Sequence, residues 1–391
     1  MKKFVALVFL CAGCVEPYAP PASIVDINAL VVDGLIDANG SASVLLSRTT
    51  PLDGSNLFPK ETGAIVTIES SGGEIFSLHE NDSASYTATG LMVDKTSTYT
   101  LHIVTKDGSD YRSDAMKVYT TPGIDSVYYT ISPFQQLEIR IDSHIDDPNS
   151  GGFYEIYGIE TYEYHAPIYA HYKLVDTRAV ERLPEEEVYT CYKDNRTPNT
   201  ITTTKTLKED RLSGVIVSTI DRSSEKISSR YSILVKQRTI SEAEYTFQQL
   251  LSATSEQQGG IFAPIPGAVS GNIHSSNPDE YVLGYFRAQE VKELRFSIDA
   301  YQNTLPQGFY QRPPTKCQSE TTCFLPWSTP RKLGLTFPGE CVDAAALSDA
   351  VGVIEIVRDA SGDELRYIFS VGECCNCKFQ GGTTVRPPFW Q

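Results

Sequence analysis

The chain has 391 residues, with 49 acidic against 33 basic side chains and a net charge of −16. That excess of negative charge removes the attraction on which nucleic-acid binding and adsorption to anionic lipid rest, so neither partner is expected. The length sets two domains as the starting expectation.

Met1, Lys2 and Lys3 make a short basic start, and Phe4 to Cys11 form an apolar run. The run is of signal-peptide length and far short of the ~20 apolar residues that span a bilayer. Ala12 and Gly13 place two small residues before Cys14, as a lipoprotein signal peptidase requires, whereas the residues before Cys11 are the bulky Phe9 and Leu10. Residues 1–13 are therefore expected to be removed and the Cys14 thiol to carry the lipid, anchoring the chain to a membrane. Residues 14–28 follow as a tether, since Pro17, Pro20 and Pro21 favour extended conformation. A membrane-spanning barrel is disfavoured because the alternating segments are irregular and interrupted by a helix.

Residues 29–121 read as an immunoglobulin-like β-sandwich. Strands are predicted at 29–36, 42–47, 64–70, 74–78, 98–105 and 110–119, with turn residues such as Asn39, Gly40, Gly72, Gly73 and Gly108 between them. Pro122, which has no amide proton for a ladder, marks the end.

Residues 122–391 read as a larger β-rich domain. Strands are expected at 125–131, 137–141, 153–164 and 168–175, and Asp146–Gly152 reads as a long turn rather than a calcium loop. A helix is expected near 242–256, because Ser241 and Glu244 form a capping box and Phe247, Leu250, Leu251 and Thr254 recur on one face. Strand returns at 281–287 and 293–300. Residues 306–391 are rich in Pro, Gly and Cys, with strands expected only at 351–358 and 364–371.

Seven cysteines remain after Cys11 and Cys14: Cys191, Cys317, Cys323, Cys341, Cys374, Cys375 and Cys377. In an exported chain these are disulfide candidates that staple a loop-rich end, and the odd number leaves at least one thiol unpaired or bonded to another chain. The Cys374–Cys377 cluster lacks the separated pairs of a zinc site, so no metal and no cofactor is expected.

Catalytic signatures are thin. Neither a His-Glu-x-x-His motif nor a Gly-x-Ser-x-Gly elbow occurs, Gly267–Gly271 around Ser270 has the wrong spacing, and Ser223 with Lys226 matches a pattern that arises easily by chance. The histidines are scattered, and carboxylates such as Asp146, Asp147 and Glu185–Glu187 serve glycoside hydrolysis only when a cleft fixes their separation. The compositional feature suited to binding is tyrosine: Tyr154, Tyr157, Tyr162, Tyr164, Tyr169 and Tyr172 fall within nineteen residues. Aromatic faces with a polar tip suit a glycan or peptide ligand, and Tyr162 and Tyr164 share a face of a regular strand.

Leu30–Ile36, Tyr231–Gln237, Ile240–Tyr245, Gly271–Ile273, Asn277–Glu280, Val282–Phe286 and Gly381–Trp390 together resemble, in this order, an uncharacterised family of Bacteroidota outer-membrane lipoproteins, classed as a domain of unknown function. The resemblance implies an outer-membrane location facing the cell surface and a partnership with TonB-dependent receptors in nutrient capture. It implies no catalytic residues. The expectation is thus a lipid-anchored accessory or binding protein rather than an enzyme, with a secreted-type hydrolase of glycan or peptide and a structural envelope subunit as the competing readings.

Overall fold

A computed structural model describes residues 28–390 except 51–58, 82–83, 146–151, 176–177, 206, 208–209, 257–270, 303, 315–316, 318–320, 325–350, 359, 361 and 363. The signal and tether with Cys14, the turn at Asp146, Ser270 and Cys341 lie outside the described residues.

The protein is mainly β. Its first nine strands are β1 (Leu30–Asp37), β2 (Ser41–Arg48), β3 (Ile65–Ser70), β4 (Ile75–Ser77), β5 (His79–Glu80), β6 (Ser85–Thr89), β7 (Thr98–Val104), β8 (Asp110–Ser113) and β9 (Met116–Lys117). Next come β10 (Ile124–Ile131), β11 (Gln136–His144), β12 (Phe153–His165), β13 (Tyr172–Val175), β14 (Arg178–Glu181), β15 (Thr190–Arg196), β16 (Thr200–Thr203), β17 (Arg211–Asp221) and β18 (Arg230–Ile240). Helix α1 (Glu242–Glu256) interrupts them, followed by β19 (Ile273–Ser275), β20 (Val282–Gln289), β21 (Val291–Asp299), β22 (Thr321–Phe324), β23 (Val351–Arg358), β24 (Glu364–Val371) and the short α2 (Gly372–Cys375).

The immunoglobulin-like sandwich packs the sheet β20-β1-β2-β6-β5 against a second sheet with the order β19-β8-β7-β3-β4. Alternation along β1, β2 and β7 sends Leu30, Val32, Val44, Leu46, Leu101 and Ile103 into one core with Tyr99 and Phe286, as a half-buried strand pattern dictates. The strands of this sandwich are not confined to residues 29–121 as the sequence predicts. β20 pairs in parallel with β1 and β19 pairs with β8, so a segment more than 150 residues downstream of Thr121 completes both sheets. The cause is burial: Phe286 and Ala288 fill the core face beside β1. Gly284 fits this pairing at φ +124°, where a Cβ would meet the Val32 carbonyl oxygen at 1.8 Å.

A second sandwich packs the sheet β10-β11-β17 against the sheet β15-β12-β18-β21 around Ile139, Ile141, Ile156, Val217, Ile233 and Val235. A smaller sheet, β14-β13-β23-β24-β22, lies toward the disulfide-bonded end. Cys191–Cys377 and Cys317–Cys374 are bonded, while Cys375 is a buried free thiol. Burial pushes the pKa of that thiol up, so it is held protonated and unreactive. Cys323 pairs through its backbone with Tyr367. Helix α1 begins at the predicted cap, with the Ser241 hydroxyl accepting from the Glu244 amide at 3.0 Å.

Candidate functional site

Strand β12 carries most of the tyrosines, and it is central, pairing with β18 on one side and with β15 and β16 on the other. Its even-numbered residues face the opposing sheet. Tyr154, Tyr162 and Tyr164 are consequently buried at 1%, 4% and 1% exposure. Each hydroxyl finds a partner at the rim of the core: Tyr154 donates to Asp210 at 2.7 Å, Tyr162 to Glu225 at 3.3 Å and Tyr164 to the Cys377 carbonyl at 2.8 Å. Burial, followed by the neighbouring carboxylates, pushes the Tyr154 and Tyr162 pKa values up. Tyr162 and Tyr164 are therefore core residues, and the sequence expectation that they contact ligand is corrected. Period-two alternation puts them on one face, and the covering sheet makes that face the inner one.

The exposed aromatics begin where β12 ends. Ala166-Pro167 breaks the strand, and the chain turns outward through Tyr169, which is 42% exposed. Around it stand His171, with ring centres 4.5 Å apart, and Tyr189 at 5.1 Å, both edge to face. Tyr189 also lies 4.8 Å from the His165 ring, and His171 lies 6.2 Å from Tyr172. Such geometries match the aromatic quadrupole and fix the rings relative to one another.

The cluster is held from behind. The Ile168 amide donates to the Cys374 carbonyl at 2.9 Å, and Cys374 is disulfide-bonded to Cys317. Glu187 accepts from the Tyr169 hydroxyl at 3.1 Å and from the Tyr189 amide at 2.5 Å, so one carboxylate sets both tyrosines. Burial, outweighing the attraction of Glu163 and Glu187, depresses the pKa of His165 and keeps the ring neutral. The surface is thus an aromatic patch with an acidic flank at Glu185 and Glu187. The sequence clue lay in Pro167: tyrosines beyond a strand-breaking proline escape the alternation that buries the others.

Among the described residues, Ser223 and Lys226 do not form a catalytic pair. The Ser223 hydroxyl donates to Asp221 at 2.6 Å, while Lys226 Nζ lies 2.5 Å from Glu160, so serine and lysine have different partners. Glu160 is fully buried and also accepts from Ser218, Tyr231 and Asn195 at 2.7–2.9 Å, which satisfies the carboxylate. Glu155 is held by Arg238 and by Asn199, and Glu163 by Ser229. Among the described residues no group of three or more His, Cys, Asp or Glu side chains could hold a metal.

Comparison with curated proteins finds no match. Among solved structures the chain is similar to the adhesin InvE of Yersinia pseudotuberculosis at 14% identity and a TM-score of 0.14. That likeness covers 54% of this chain and 55% of the adhesin chain. A family model described as a domain of unknown function, DUF4249, matches residues 15–295, and so excludes the disulfide-bonded end and the Gly381–Trp390 run. The match takes in both sandwiches from β1 through most of β21, and the chain belongs to this family.

Proposed function

We propose that the protein is a lipid-anchored accessory of the bacterial outer membrane, facing the cell surface, that binds a glycan or peptide ligand and works beside a TonB-dependent transporter. The carrying observation is the patch of exposed Tyr169 and His171 on half-buried Tyr189, fixed by Glu187 and by the disulfide-bonded backbone at Cys374. Rings held in place before a ligand arrives lose little side-chain freedom on binding. Their faces bury apolar area, and the Tyr169 hydroxyl and His171 imidazole offer hydrogen bonds at the rim.

Two further features support the location. The run to Ala12-Gly13-Cys14 would supply an anchor, and the two disulfides suit an oxidising compartment.

Two measurements test the proposal. Palmitate labelling in cells should mark the native chain and lose the label in Cys14→Ser. Affinity purification from detergent-solubilised outer membranes should recover a TonB-dependent receptor by mass spectrometry. An unlabelled native chain overturns the anchor, and recovery of no such receptor overturns the partnership.

A further inference from the structure

After the Cys191–Cys377 disulfide the chain does not trail away. Gly381 turns it at φ +86°, and Gly382 passes so close to the core that a Cβ there would meet the Tyr164 hydroxyl at 2.3 Å. Thr383 then exchanges both backbone hydrogen bonds with Tyr192 on the edge strand β15, at 2.7 and 2.9 Å, and Lys193 Nζ donates to the Gln380 carbonyl at 3.0 Å. Pro387 to Trp390 close a turn by a 3.1 Å hydrogen bond, and the turn presents two adjacent rings. Trp390 lies 5.4 Å from the Tyr192 ring, and Phe389 lies under the Arg295 guanidinium at 3.6 Å.

Tyr192 and Arg295 stand on β15 and β21, the two ends of the strand order β15-β12-β18-β21, so the segment reaches across that sheet. The register identifies the face. Tyr162 pairs with Tyr231 on the core side, so Thr161, Glu163, Tyr192, Ser232 and Arg295 point outward. Thr161, Glu163, Tyr192 and Ser232 are nonetheless buried, at 4%, 7%, 8% and 0% exposure. Arg295 is itself set from below, donating to the Ser232 hydroxyl at 3.0 Å.

We propose that this outer face is a peptide-recognition groove whose natural occupant in a complex is a partner's aromatic-bearing turn, and that Thr383–Trp390 is a releasable strap filling it in cis. The strap is itself the template for the ligand: an edge-strand bridge to β15, a proline-set turn, and two rings placed on Tyr192 and Arg295. It is built for release. Among the described residues its contacts with the sheet are one backbone bridge, two ring contacts and the charge of Arg386 near Tyr192, while Val385 is 73% and Phe389 39% exposed. By contrast β15 beneath is pinned by a disulfide and seven register pairs with β12. The groove therefore persists when the strap leaves, and pairing at an exposed strand edge is a recurring mode of peptide capture. The proposal does not depend on the Tyr169 patch.

The probe is a fluorescent synthetic peptide of residues 381–391. A chain ending after Gln380 retains both disulfides, loses the Thr383 bridge to Tyr192 and should bind it saturably, whereas the full chain should bind at least tenfold more weakly because the strap competes. Arg295→Ala in the shortened chain should weaken the peptide tenfold or more, through loss of the Phe389 contact. If shortening disrupts folding, the full chain with Thr383→Pro, Phe389→Ala and Trp390→Ala removes the bridge donor and both rings, frees the groove and should bind the same peptide. Failure of whichever folded, strap-free chain is obtained to bind it, or equal binding by native and strap-free chains, overturns the groove.

Discussion

Arg287 on β20 donates from Nε to the Glu244 carboxylate at 2.5 Å, and through that carboxylate the first sandwich is joined to helix α1 and to the second. Glu244 Oε1 also lies 3.1 Å from Arg238 on β18, which is paired in turn with Glu155, while Arg287 is paired with Asp33. Burial opposes the charge on Arg287, but Glu244 and then Asp33 overcome it and raise its pKa. Both arginine side chains are at most 15% exposed. Replacing Glu244 by Gln leaves two buried cations short of one anion, which costs about 3–5 kcal/mol. Urea unfolding of the variant should show that loss, and a change below about 1 kcal/mol would mean that the chain of charges does not stabilise the junction.

Glu160 gives a pH dependence with a definite sign. Burial alone raises its pKa, but hydrogen bonds from Lys226, Ser218 and Asn195 outweigh burial, and the folded value lies below the ordinary 4.5. The unfolded state then binds the proton more readily, so the contribution is complete above about pH 4.5 and is lost as pH falls through the folded value. Lys226→Ala removes the leading bond, so the acid-labile share of stability should shrink as overall stability drops by about 3–5 kcal/mol. Unfolding curves collected from neutral to acid pH on both proteins check this. Parallel pH profiles would show that Lys226 does not set the charge on Glu160.

The local elements were legible where chemistry is local. Ser241 and Glu244 marked the start of α1, and alternation marked β2, β7, β11 and β12. What sequence reasoning lost was several strands and the partnership of others. β6 was missed because Ser85–Thr89 offers only Tyr86 and Ala88 as inward residues, β15 because charged Lys193, Asp194 and Arg196 obscure its alternation, and β17 and β18 because neither Arg211–Asp221 nor Arg230–Ile240 alternates regularly between buried and exposed residues. The parallel pairing of β1 with β20 joins Leu30 to Val282, a separation no periodicity announces. The tyrosines show the same limit: a period of two groups Tyr162 with Tyr164, but burial belongs to the sheet laid over them. Tyr189, His165 and His171 joined the candidate site only through the turn at Pro167 and the bond from Ile168 to Cys374.

The two disulfides should differ in weight. Cys191–Cys377 closes a separation of 186 residues and Cys317–Cys374 one of 57. On chain entropy each contributes about 2–5 kcal/mol, the longer loop about 1 kcal/mol more than the shorter. Cys191→Ser with Cys377→Ser should therefore lower the denaturation midpoint further than Cys317→Ser with Cys374→Ser. The longer bridge also anchors the backbone next to the Gly381 turn, so its loss should speed tryptic cleavage after the exposed Lys378. Equal midpoints with unchanged proteolysis would assign the bridges no such difference.

The binding patch and the buried tyrosines make opposite predictions on paired variants. Tyr169 is 42% exposed and rests on ring edges, so Tyr169→Ala should change stability by no more than about 0.5 kcal/mol. A ligand or partner held by that ring should bind about 1–3 kcal/mol more weakly, as for truncation of an aromatic anchor. Tyr164→Ala instead empties a core position and frees the Cys377 carbonyl, so it should cost about 3–5 kcal/mol of stability. Tyr164→Phe, which keeps the ring and deletes one hydrogen bond, should cost about 1 kcal/mol. Thermal melts of the three variants, beside a titration with the receptor recovered from solubilised membranes, separate the roles. A Tyr169→Ala chain that melts early and binds normally would return Tyr169 to structure, and the functional surface would then have to be sought beneath the C-terminal strap.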